Sequence, residues 1–482
     1  MRIPKDTGCS EYQQMNRRGA ISTLGAMASA WIPQIGYTEE EPQPNIKPAG
    51  GGEILPRATT TRDIVVTLFL RGGADGLVLC PPWKDNDYAN YRRGTRIFPP
   101  TSSDAYRKAI DLNGYFGLPQ AMAPLKSLYT SKNLLITHQT GSLNDTRSHF
   151  DAQHFMEVGV DSKQVWVGWM ARHLNSVTPT KPDAVLRGVA LAGLMPQILD
   201  GAAQTAALTD LTNYALPGDN NTIANRLGWL TKAYSTAETS LSNAAANAVK
   251  TLNLLQTINY PAYQPATGVV YNPPAVSTLA NGDKVNTDMA WHVRDFGESL
   301  KSTAALIKSG VGIETVHVDF GGWDFHRDEW VFEGRNNDGS VSFGWRYWFP
   351  YSLAANLAAF YKDLDATKFS DGTTLMNRVT VVVMSEFGRT VNENGNYGTD
   401  HGHGGTMMFL GKNVNGGRVD ADWKSLGTTG IDTFGGLATT LDYRIFLGEL
   451  LERRLLNGGQ LGTVFPGYIK PVSGWRGAFK TL

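Results

Sequence analysis

The sequence predicts an α/β protein with a mostly parallel sheet sandwiched by helices. Three observations carry that expectation. Short β-branched, apolar runs alternate with longer helical patterns. Those runs end in Gly-rich or polar turns, as buried parallel strands do. Chemistry-bearing residues recur directly after the runs, where open α/β sheets bind their ligands.

The first strand is the run IVVTLFL at 64–70, closed by Arg71-Gly72-Gly73-Ala74-Asp75-Gly76. Further strands are expected over 134–138, 184–191, 315–320, 379–384 and 407–410. The clearest is VTVVVM at 379–384. Helical patterns fall between them at 149–159, 165–177, 287–309, 351–366 and 434–457. Together these delimit one α/β domain over about 61–475. Residues 200–285 differ, being rich in Ala, Asn and Thr. A helical pattern at 222–257 and a Pro/Tyr-rich loop at 259–275 mark them as a largely helical insertion or cap.

At the amino end, Arg17-Arg18 precede a mild, small-residue stretch over 19–32. The pattern resembles a twin-arginine export signal over 1–33. About 20 strongly apolar residues are needed to span a bilayer, and this stretch is too short and too polar, so no membrane span is expected in the mature chain. Either Met1 or Met15 can be the start. Residues 34–60 read as a linker. The expected destination is the periplasm or the extracellular space. Of the two cysteines, Cys9 precedes the signal and Cys80 would remain alone, so the fold is expected to be held by packing, or by packing and a metal, without an internal disulfide. Lys+Arg and Asp+Glu both total 44, which gives nucleic acid no basic surface to bind.

Histidine clusters in three short segments: DTRSHFDAQH at 145–154, GGWDFH at 321–326 and GTDHGHGG at 398–405. A fourth segment, SEFGR at 385–389, sets a carboxylate after a strand. Asp324-x-His326 and His401-x-His403 can each offer two ligands from an extended loop, because alternate residues point the same way. Mixed imidazole and carboxylate donors suit zinc, manganese or iron. His149 and His154 fall on different helix faces, so at most one reaches such a centre. Ser148 opens a helix, where it serves either as a cap with Asp151 or as a hydroxyl beside free backbone N–H groups. Arg147 next to it is suited to an anionic oxygen.

The ordered set 69–77, 148–153, 322–326, 385–390 and 398–404 resembles the bacterial "domain of unknown function 1501" family, of the alkaline phosphatase and sulfatase superclass. The resemblance implies an alkaline-phosphatase-like fold. It implies that Asp75 and Glu386 serve a metal, that Ser148 is the nucleophile, and that Asp324, His326 and one of His401/His403 are ligands. Phe387 stands where the superclass has a second-metal histidine. At most one tightly held ion is therefore expected, bound mainly by Asp324, His326 and one of His401/His403, with Asp75 and Glu386 holding a weaker second ion or forming an anionic wall. Zinc or manganese suits the first position; magnesium, manganese or calcium suits oxygen-only ligation.

The implied activity is hydrolysis or transfer of phosphate or sulfate esters, with Ser148, Arg147 and His149 as catalytic candidates. The alternative is a catalytically degenerate exported protein that binds or assembles with another exported protein. A third reading, a glycan substrate, rests on the Trp and Tyr residues over 323–351.

Overall fold

The computed structural model describes residues 46–50, 54–55 and 62–482, apart from 210, 212–224, 227, 230, 233–238, 274–277, 280–281, 288–289 and 428. The expected export signal and most of the expected linker lie outside the described residues, as does part of the 200–285 insertion.

Eight strands form the central sheet: β1 Ile64–Leu70, β2 Leu134–Thr137, β3 Gly188–Leu191, β4 Thr205–Leu208, β5 Thr315–Phe320, β6 Val379–Met384, β7 Met408–Leu410 and β8 Arg418–Asp420. Their order is β8-β2-β7-β6-β1-β5-β3-β4. Only β7 runs antiparallel, against β6 and β2. The principal helices are α1 His149–Val158, α2 Trp169–Asn175, α3 Thr239–Thr257, α4 Asp295–Lys308, α5 Trp345–Asp365 and α6 Arg444–Arg453.

The strands form from continuous β-branched runs because both faces are buried. Val66, Leu68 and Leu70 of β1 face one way with Val316, Val318, Val381 and Val383, and meet Leu300 and Ala304 of α4 and Leu353 and Leu357 of α5. Val65 and Phe69 face the other way with Val382 and Met384, and meet Met156 of α1, Met170 of α2 and Leu447 and Leu450 of α6. Each such buried side chain contributes about 1.5–3 kcal/mol over exposure. The result is a helix–sheet–helix sandwich.

Several boundaries differ from the sequence expectation. α5 begins at Trp345 and runs through Pro350, its sixth residue, giving up one backbone hydrogen bond there. α6 occupies only the end of 434–457, because Leu441–Asp442 pairs instead with Thr140–Gly141. Thr205–Leu208 is an edge strand of the main sheet, and Leu255 and Ile258 are buried in the core that holds α4 and α5. These parts of the expected insertion therefore belong to the main body.

Candidate metal centre

Three adjacent parallel strands deliver the site. Leu70 of β1 lies beside Phe320 of β5, and Phe69 lies beside Met384 of β6. Their following loops emerge together at one sheet edge. Gly72 has a φ of +120°, and a Cβ there would sit 2.4 Å from the Asp324 backbone nitrogen. Only glycine lets the first two loops nest this closely.

Buried Arg389 ties the loops together. Its Nε donates to Gly73 O at 2.6 Å, and its Nη2 to Trp323 O at 3.0 Å and Asp324 Oδ1 at 2.8 Å. Its Nη1 reaches Thr399 O at 3.1 Å, which draws in the loop carrying His401. A fourth element, α1, starts beside them. Ser148 is its N-cap, with Oγ accepting from Asp151 N at 3.4 Å, so the helix begins by projecting His149 inward.

Asp324 Oδ1 is the focus of the cluster. It lies 2.9 Å from His326 Nε2, 3.1 Å from His401 Nε2 and 3.4 Å from His149 Nε2. His401 Nε2 is also 3.1 Å from each of the other two Nε2 atoms. Each Nδ1 faces an acceptor: Glu386 Oε1 at 2.8 Å for His149, Arg147 O at 2.8 Å for His401, and Asp400 Oδ1 at 3.2 Å for His326. An acceptor at Nδ1 places the proton there and leaves the Nε2 lone pair facing inward. Three lone pairs and a carboxylate oxygen then confront one another, an arrangement that calls for a cation.

Two further observations fit a divalent ion. In a tetrahedral zinc site with bonds near 2.0–2.1 Å, donors stand about 3.3 Å apart, close to the separations among His149, Asp324 and His401, whose donor atoms lie mutually within 4.8 Å, with His326 joining from the Asp324 and His401 side. Around the cluster, the carboxylates Asp324, Glu386, Glu157 and Asp319 outnumber the guanidiniums Arg71 and Arg389 by two. Burial opposes charge on His149, yet hydrogen bonds to Asp324 and Glu386 overcome it and raise its pKa to about 9, so an ion bound at its Nε2 would take the place of a proton there. Burial likewise raises the Asp324 carboxyl, but the three histidines and Arg389 hold it far below the carboxylate range. His149 is fully buried, whereas the His326 side chain is 33% exposed, so solvent reaches the cluster from the His326 side.

Each histidine-bearing segment thus sends one imidazole inward: His149, His326 and His401. His154 turns to Ser162 O and His403 to Ser142 O, with His403 Nδ1 3.7 Å from Asp432. Asp75 is not brought to the cluster. Its carboxylate bonds Arg92 at 2.6 Å and Arg346 at 3.1 Å, and caps the turn at Gly76–Leu79. Glu386 abuts the cluster without entering it: its Oε1 already accepts from His149, Gln153 and Gly72 N. The Arg147 guanidinium is engaged by Asp432 and the Phe434 carbonyl. Phe387 packs its ring 4.9 Å from that of His149 and 5.0 Å from that of His401, leaving no donor on that side. Of the aromatic residues over 323–351, Trp323, Tyr347 and Trp348 are buried in packing and are not available to stack on a sugar.

A family model described as "Protein of unknown function (DUF1501)" matches residues 62–434. The chain belongs to the DUF1501 family. The DUF1501 match takes in the central sheet and all four residues of the cluster. No curated protein matches the sequence. Among solved structures, the C-terminal periplasmic domain of EcEptC from Escherichia coli aligns over 88% of this chain and 92% of its own, at 9% identity and a TM-score of 0.29. Among the described residues, no helix is long and apolar enough to cross a membrane.

Sequence reasoning placed His149 among catalytic residues and gave no role to Arg389, Gln153 or Arg71. His149 and Gln153 stand four residues apart on one helix face, a spacing that could have paired them.

Proposed function

We propose that the chain is an exported enzyme that hydrolyses or transfers phosphate or sulfate esters at one divalent ion held by His149, Asp324, His326 and His401. The observation that carries this reading is the convergence of three Nε2 atoms on Asp324 Oδ1, each ring fixed through its Nδ1. Three imidazoles and one carboxylate favour zinc or manganese over magnesium or calcium.

A bound ion of this kind lowers the pKa of an oxygen nucleophile and neutralises charge developing on an ester. The chain's own residues hold the donors and exclude water from the His149 side. Ser148 remains the candidate nucleophile, because it lies between the Arg147 carbonyl and His149, both tied to the centre. Arg147 loses its expected anion-binding role, since Asp432 and Phe434 occupy its guanidinium. The ester class rests on the alkaline-phosphatase-like resemblance of the motifs.

Phe387 favours a second reading, in which an exported binding protein keeps the ion without turnover. Elemental analysis of protein purified without chelator, followed by a panel of phosphate and sulfate esters, separates the two. One zinc or manganese per chain with metal-dependent turnover supports the enzyme. The same ion with no turnover supports the binder, and absence of any ion defeats both.

A further inference from the structure

The centre has a buried polar network behind it that extends beyond its donors. His149, Gln153 and Glu157 recur every four residues on α1, so they form one stripe of that helix. All three are buried. Gln153 Nε2 donates to Glu386 Oε1 at 2.8 Å, the same oxygen that accepts from His149 Nδ1. The Gln153 carbonyl in turn accepts from Arg71 Nη1 at 3.2 Å. Arg71 is itself clamped by an ion pair to Glu157 and by Asp319 at 2.7 Å.

This sequence of contacts fixes the amide's direction. A flipped Gln153 would point its oxygen at the Glu386 carboxylate and its NH₂ at the Arg71 guanidinium, two repulsive contacts in a dry site. Arg71 therefore keeps Gln153 a donor toward Glu386, and Gly72 N at 2.8 Å adds a third donor to the same oxygen. With its oxygen so held, Glu386 stays an anionic acceptor, and the His149 ring keeps its proton on Nδ1.

We propose that Gln153, oriented by Arg71, is a positioning residue that acts through Glu386 to set the tautomer and donor strength of His149 toward the ion. The inference rests on the metal reading above. Partners behind a metal-binding histidine typically change affinity about 10- to 100-fold when removed.

The test uses cobalt(II) as probe on the full chain, reading its visible spectrum, and zinc affinity by competition with a chelator dye. Gln153→Met keeps the length of the side chain and removes both hydrogen bonds. It is expected to fold, to bind one ion, to hold zinc about 10- to 100-fold more weakly, and to shift the cobalt bands. Gln153→Glu sets a second carboxyl against Glu386 and is expected to weaken zinc at least as much. If Gln153→Met fails to fold, Arg71→Lys tests the same link: it retains the charge facing Glu157 and Asp319 but not the fork that orients the amide. Unchanged zinc affinity and an unchanged cobalt spectrum in the folded variants would overturn the positioning role alone. A wild-type chain that binds neither cobalt nor zinc would overturn the metal reading with it.

Discussion

At the scale of single residues, the four donors and their supports separate cleanly by what each oxygen or nitrogen touches. Asp324→Ala removes the oxygen to which all three imidazoles point, and His401→Ala removes the nitrogen nearest the other two. Both variants are expected to lose the ion, read by elemental analysis after gel filtration. Glu386→Ala leaves the donors in place, so it is expected to retain one ion but hold it about 10- to 100-fold more weakly. Equal loss in Glu386→Ala and Asp324→Ala would make Glu386 a ligand after all. Asp75 gives the opposite expectation. Burial raises its carboxyl, but Arg92 and Arg346 outweigh that and hold its pKa below the ordinary value. Its stabilising contribution is therefore full above the free carboxyl range near about 4 and is lost as pH falls through the lower folded value. Asp75→Asn leaves buried Arg92 without a carboxylate, while Arg346 keeps Glu329, and is expected to destabilise by about 3–5 kcal/mol with metal content unchanged. A denaturant titration beside a metal assay checks it.

At the scale of elements, the start of α1 does two things at once. Ser148 caps the helix, and the helix start aims His149 at the centre. Ser148→Ala is expected to cost about 1 kcal/mol of stability, as a lost cap does. If Ser148 is also the nucleophile, turnover on the ester found by the panel disappears while the ion stays; turnover near wild type would leave the residue a cap only. The strands were legible in the sequence wherever burial on both faces demanded unbroken apolar runs, as at 64–70 and 379–384. β8, Arg418–Asp420, was not, because an edge strand of three residues with charged ends carries no such run. The α5 start differs from the expectation because Pro350 looks like a boundary, whereas the helix runs through it at the loss of one backbone hydrogen bond. The site motifs were legible as clusters, since histidine beside carboxylate after strand ends is distinctive. Which histidine of each pair turns inward was not, because that choice depends on partners distant in sequence. Ser142 O claims His403, and Arg147 O claims the Nδ1 of His401. Asp75 misled for the same reason: its arginine partners lie 17 and 271 residues away.

At the scale of the whole molecule, the proposed export rests on Arg17-Arg18, outside the described residues. Changing both to Lys is expected to leave the precursor in the cytoplasm, read by fractionation. Normal export of that variant would point to another route.

The donors also lie far apart along the chain: His149 and His401 are separated by 252 positions, and His326 and His401 by 75. The proposed ion, joining them, would staple together segments that a nascent chain does not bring near one another until β1, β5, β6 and α1 have all assembled. Before that point the polypeptide offers an ion little more than the neighbouring Asp324 and His326. On this proposal, uptake of metal would report completed assembly. During refolding from denaturant, high-affinity zinc capture should rise with the fluorescence change of buried Trp323 and Trp348 and not ahead of it. An ion acquired before that burial would mean that a local segment, and not the finished fold, is the receptor.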